Sequence, residues 1–158
     1  MGAQRAMDRN YRIENGVLTK YEGPGGSVAV PKGVKAIGDY AFAGCKSLTA
    51  VVIPEGVKAV GDHAFDGCAN LACVDRPKSA AAIGDYAFCG CKSLTAIVIP
   101  EGAAVVGVSA LEGCQNLAAA ILPKSAILID ESAFAFCKSL TRLVIPEGVR
   151  AIESKAFW

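Results

Sequence analysis

The 158-residue chain has a single histidine, almost no net charge and no long apolar run, and each shortage removes a class of function. With only His63 to serve as base, and no carboxylate at a matched spacing, neither a Ser/His/Asp nor a Cys/His arrangement is supported, and no catalytic residue is assigned. Sixteen basic residues against 15 acidic ones generate no general field that would draw nucleic acid or an anionic membrane, so any partner must be recognised locally. No apolar stretch approaches the roughly 18 residues a membrane span needs, and the opening MGAQRAMDRN lacks the apolar segment of a secretory signal; no membrane insertion is expected. Neither a phosphate-binding G-x-x-x-x-G-K-[ST] nor a strand-linked G-x-G-x-x-G occurs, so no nucleotide or other cofactor is expected.

What is present is apolar content, 53% of the residues, arranged with unusual regularity. Residues 1–10 carry no pattern and are read as frayed. Residues 11–27 hold two β-prone runs around Asn15-Gly16, the dipeptide suited to a type I′ hairpin turn, and are read as a hairpin that caps the open end of the repeats. From residue 28 to 158 one unit recurs every 23 residues. Its proline column is Pro31, Pro54, Pro77, Pro100, Pro123 and Pro146; its aromatic column is Phe42, Phe65, Phe88, Leu111, Phe134 and Phe157, each preceded by alanine. Columns this strict require stacked coils, in which neighbours bury what one coil cannot.

Within a unit, LTAVVIP alternates like a short strand, with Val51 and Ile53 facing one way and Ala50 and Val52 the other. Proline then stops the ladder at the same place in each coil, predicting short parallel rungs. Gly61 is read as turning the chain, and AFDGC as a tight helical or 3₁₀ turn that carries Phe65 and Cys68 inward, with His63 on the surface of that turn. Seven cysteines, an odd number, include five at one repeat position (Cys45, Cys68, Cys91, Cys114, Cys137); they read as buried thiols rather than a disulfide framework. Cys89-Gly90-Cys91 lacks the C-x₂-C spacing of zinc modules, and no metal site is assigned. An alternating column, Glu55, Lys78, Glu101, Lys124, Glu147, predicts cross-rung charge pairs.

The consensus I-G-x-x-A-F-x-G-C-x-S-L-T-x-V-x-I-P-x-G-V resembles the leucine-rich repeats of the BspA-like (Treponema pallidum) type, over about residues 28–158. The resemblance implies a leucine-rich-repeat solenoid (α/β, mainly β), a right-handed stack of about six coils with a parallel sheet on its concave side. It also implies a non-enzymatic module binding a protein partner, often on bacterial surfaces and in adhesion. The exposed lanes of that sheet are expected to be Ala50, Cys73, Ala96, Ala119 and Arg142, and beside them Val52, Asp75, Val98, Ile121 and Val144. They are unusually small and apolar for solvent-facing strand positions, which marks them as candidate partner-binding residues. Arg76 joins them because CVDRP breaks the rung pattern and places a charge in an inward column. The alternative is a structural spacer in a longer surface protein, with no ligand of its own. The last coil stops at Phe157-Trp158 with no cap in the pattern, which suggests a homodimer through that end or a piece of a longer array.

Overall fold

A computed structural model describes residues 9–75 and 82–158; Arg76 and Lys78 lie outside the described residues. The chain is a mainly-β solenoid of about six turns built on parallel sheets, with no helix among the described residues. It opens with the expected hairpin, β1 (Tyr11–Glu14) and β2 (Val17–Tyr21). Asn15 and Gly16 both have positive φ, 51° and 79°, as a two-residue type I′ turn requires. The hairpin lies against the first coil: Tyr21 stacks on Phe42 at 5.1 Å, and the Tyr11 hydroxyl donates to the Ala29 carbonyl at 2.8 Å.

Each coil then supplies a main strand and a two-residue strand. They are β3 (Gly26–Ala29) and β4 (Ala36–Ile37), β5 (Leu48–Val52) and β6 (Ala59–Val60), β7 (Cys73–Asp75) and β8 (Ala82–Ile83), β9 (Ala96–Val98) and β10 (Val105–Val106), β11 (Ala119–Ile121) and β12 (Leu128–Ile129), β13 (Arg142–Val144) and β14 (Ala151–Ile152). Coil-to-coil pairing is parallel, and the register advances one repeat per rung: Ala50 faces Cys73, and Ala96 faces Ala119, which faces Arg142. The short strands form a second parallel ladder that the repeat pattern did not announce. It begins at β2, which pairs with β4.

The AFDGC turn is a run of single turns closed three residues back, not a continuous α or 3₁₀ helix. Ala41, Ala43 and Cys45 each donate to the carbonyl three residues back, at 3.1–3.2 Å, but the intervening N–H groups of Tyr40, Phe42 and Gly44 donate instead to Asp62, Ala64 and Asp66 of the next coil at 2.7–3.0 Å. Alternate donors therefore close turns while the others weld coil to coil, a third column of main-chain bonds. The geometry demands left-handed backbone at Tyr40 (φ 59°), His63, Tyr86, Ser109 and Ser132, residue types that carry a Cβ penalty there. Ring stacking offsets part of it: His63 lies between Tyr40 and Tyr86 at 4.5 and 4.6 Å, within 4° of parallel to each.

Gly61 does not turn the chain; it makes room. Asp39 Oδ1 accepts the Asp62 N–H at 2.8 Å, Asp62 Oδ1 accepts from Asp85, and Asp85 Oδ1 accepts from Val108 at 2.9 Å. Each carboxylate passes where the next coil's Gly61, Gly84 or Gly107 would carry a Cβ. In the following coil Val108 has no carboxylate to offer, and the matching position is Asp130 rather than glycine.

The core is the stack of inward columns. Phe42, Phe65 and Phe88 pile at 4.9 and 5.2 Å with near-parallel rings, Leu111 interrupts them, and Phe134 and Phe157 resume at 5.5 Å. Cys68, Cys91 and Cys114 are fully buried, and each thiol donates to a carbonyl of the preceding coil at 3.1–3.3 Å, as does half-buried Cys137. Burial pushes these thiols up, Cys68 to about 12 and Cys137 to about 11, so they stay protonated and unreactive at neutral pH. Native protein should therefore react with a thiol reagent quickly at exposed Cys73 and slowly at the column, with full reaction only after unfolding; prompt labelling of Cys91 would contradict this packing. Because the folded column binds its protons more tightly than the unfolded chain, its contribution is complete below the ordinary thiol value of 9.0 and is lost as pH rises towards about 12.

In the lower half of the charge column Glu101, Lys124 and Glu147 make no ion pair among the described residues, while Lys78, the expected neighbour of Glu55 and Glu101, lies outside them. Ser125 joins those loops instead, its hydroxyl accepting the Gly102 N–H at 2.9 Å and donating to the Ala103 carbonyl at 3.0 Å.

Candidate functional site

The period-2 alternation of the main strands places the two anticipated lanes side by side on one solvent-facing surface. In one lane Val98, Ile121 and Val144 face one another in register across β9, β11 and β13, at 51%, 60% and 76% exposure, and Val52 and Asp75 form the matching pair of β5 and β7. In the other lie Ala50 and Cys73, then Ala96, Ala119 and Arg142. The small side chains of this lane leave the neighbouring aliphatics standing clear of the sheet. Asp75 and Arg142 are the charged interruptions and sit in different lanes.

Of the inward mates of these positions, Val51, Ile97 and Ala120 are 4% exposed or less and Val74 and Leu143 are half-buried, so the split between faces is set by the pleat. The face is divided in one respect. The main strands form two three-stranded sheets, β3-β5-β7 and β9-β11-β13, instead of one continuous ladder. A cavity of about 530 Å³ lies at the division, between Cys73, Val74 and Asp75 on one side and Ala96, Ile97 and Val98 on the other. A second depression, beside β11 and β13, is lined by Ile121, Arg142, Val144 and Glu147 among others.

The remaining chemistry is structural. His63 Nδ1 is 2.7 Å from Asp66 Oδ2, and both ring faces are covered by tyrosine, so it is a stacked and hydrogen-bonded turn residue rather than a plain surface one. Cys89 is half-buried; burial, helped by Asp66 and Glu112, raises its thiol to about 11. Among the described residues no group of three or more His, Cys, Asp or Glu is placed to hold a metal ion. No helix of the described residues is long and apolar enough to cross a membrane. At the last coil Phe157 and Trp158 are 45% and 70% exposed, and Trp158 meets Phe136 edge-on at 6.1 Å and Lys155 Nζ at 5.1 Å.

The family model described as the BspA type leucine rich repeat region (6 copies) matches residues 21–126 and 62–158. The chain belongs to this family. Among solved structures, the BspA-type chain is similar to a Treponema pallidum leucine rich repeat protein, with 29% identity over 87% of this chain and 79% of that one and a TM-score of 0.66. It is similar to a leucine rich cell surface protein of Faecalibacterium prausnitzii, with 25% identity over 92% of this chain and 52% of the other and a TM-score of 0.61. A leucine-rich repeat protein from Eubacterium ventriosum shares the fold at a TM-score of 0.80 and 23% identity, over 95% of this chain and 50% of that one. The chain thus spans about half the length of the last two. No curated protein matches it. BspA-type repeats are generally protein-interaction or surface modules, and the solenoid family is generally non-enzymatic.

Proposed function

We propose that this BspA-type solenoid is a protein-interaction module of a bacterial surface, which binds its partner across the main-sheet face. The observation that carries the reading is the exposed aliphatic lane Val98, Ile121 and Val144 beside a lane of mostly small residues, an apolar patch held flat by main-chain hydrogen bonds across β9, β11 and β13, with Val52 exposed on the neighbouring sheet. Such a surface is ordered before the partner arrives, so little entropy is lost when it is covered. The F. prausnitzii relative is a cell surface protein, which supports surface display and adhesion.

Val98→Asp combined with Ile121→Asp tests it. Both side chains face solvent, so the fold should persist, with a melting temperature near that of the parent. Binding to a panel of immobilised host matrix and surface proteins should fall about tenfold or more, since two desolvated carboxylates oppose the contact. A folded double variant that binds as the parent does would favour the spacer reading, in which this face touches nothing.

A further inference from the structure

The division of the solenoid between β7 and β9 is a break in two hydrogen-bond columns at once. Among the described residues β7 pairs only with β5 and β9 only with β11, while β8 pairs only with β6 and β10 only with β12. Single bonds show the same loss. Ala72 N–H donates to Thr49 and Ala118 N–H to Thr95, but Thr95 does not donate to Ala72. Likewise Gly84 N–H donates to Val60 and Asp130 N–H to Val106, but Gly107 does not donate to Ile83. The turn column alone runs through unbroken, Tyr86 to Val108, Phe88 to Ala110 and Gly90 to Glu112, each at 2.8 Å. Among the described residues the two halves are therefore joined by main-chain bonds at the turns and lack them along both strand ladders.

Two strand edges face each other across the parting. In these parallel rungs an inward residue directs its N–H forward, as Ile53 does to Asp75 and Ile99 to Ile121 at 2.7 and 2.8 Å, and the accepting outward carbonyl points back. Val74 thus presents main chain to the cleft from one edge, and Ala96 from the other. Val74 is half-buried, whereas Val51, Ile97 and Ala120 in its column are closed off, so water reaches this edge. Unpaired edges with an apolar floor are templates for one kind of occupant.

We propose that the cleft between β7 and β9 binds an extended segment of a partner protein by strand addition. The segment has alternating β-branched residues, like the LTAVVI of residues 48–53, which pairs in parallel on both sides in this same stack. Only an extended backbone can supply N–H and C=O groups to both edges, and half-buried Val74 offers its apolar side chains a contact. Asp75 and Glu101, the charged residues described at the cleft, favour lysine flanking the segment. This goes beyond the sheet-face reading and does not depend on it.

The probe is a fluorescent peptide of residues 48–53 with a lysine at each end, and a control with proline at the place of Val51, which removes one N–H and the strand geometry. The parent peptide should bind saturably, the proline peptide about tenfold more weakly or worse, and hydrogen exchange should slow at Val74 and Ala96. Ala96→Cys places a second thiol across the cleft from Cys73; a bis-maleimide that bridges the two thiols then obstructs the gap, and the cross-linked protein should lose peptide binding. Absence of saturable binding, equal binding of the two peptides, equal binding by the cross-linked protein, or protection confined to Arg142–Val144 would each overturn the proposal. Val144→Asp, which alters the face but not the cleft, should leave peptide binding intact, so failure of the face reading is told apart from failure of this one.

Discussion

Phe65→Ala should cost about 3–5 kcal/mol, the range for emptying a buried aromatic site. Phe65 is wholly buried, and its ring lies between Phe42 at 4.9 Å and Phe88 at 5.2 Å, so truncation leaves two rings without a face to stack on. Stacking alone is worth about 0.5–1.5 kcal/mol beyond area for each pair. The site cannot collapse easily, because the backbone on either side is tied to its neighbours: Phe65 N–H donates to Ala87 at 2.8 Å, and its carbonyl accepts the Cys91 thiol. At about 2–4 °C per kcal/mol for a chain of this size, the melting temperature should fall by about 6–20 °C. Phe157→Ala is the comparison, since that residue is nearly half exposed and stacked on one side only, and its loss should be a fraction of this. Equal effects of the two substitutions in urea denaturation would mean that the aromatic column is not what holds the coils together.

Gly84→Ala is expected to be about as severe as overpacking of a core, about 3 kcal/mol, although it adds one methyl group. A Cβ there would lie 2.6 Å from the Asp62 amide nitrogen and 2.7 Å from the Gly61 carbonyl carbon, and it would also meet Asp62 Oδ1. Two of these three are main chain, so coils must be pushed apart. Gly107→Ala is milder, because its one severe contact is Asp85 Oδ1 at 2.6 Å; the next, the Gly84 carbonyl oxygen, is at 3.2 Å. Asp85→Ala should then relieve Gly107→Ala while costing about 1 kcal/mol by itself through the lost acceptor for Val108 N–H. The double variant should be more stable than the sum of the single effects predicts, read by thermal melting. Strict additivity would show that the carboxylate and the glycine are not coupled.

The rungs and both exposed lanes could be read from the residues because each column is packed against copies of itself. A residue such as Ile97 or Val98 then carries the same inward or outward signal in every coil. The second ladder was not legible, since two-residue strands such as β4 and β6 are too short to show alternation. Left-handed backbone at Tyr40 and His63 was also hidden, because that conformation is usually announced by glycine or asparagine. The glycine rule was present but needed two coils at once: Asp39 with Gly61, Asp62 with Gly84, Asp85 with Gly107, and Val108 with Asp130. The expected pairing of Lys124 with Glu101 and Glu147 is absent because loop side chains need not follow strand register, and Ser125 makes the contact there. The irregular CVDRP pointed to Arg76, and its first three residues form β7, the strand whose pairing to β9 is missing.

Elsewhere in the stack three parallel columns of hydrogen bonds resist separation of successive coils; between β7 and β9 one remains among the described residues, at the turns. Seen as a loaded beam, the molecule is stiff in two segments and compliant at one line, with the pivot set off to the side. Bending that opens the sheet face is soft there and bending that closes the turns is not. A pull along the axis should part the chain into a block ending at β7 and a block beginning at β9 before any single rung unzips.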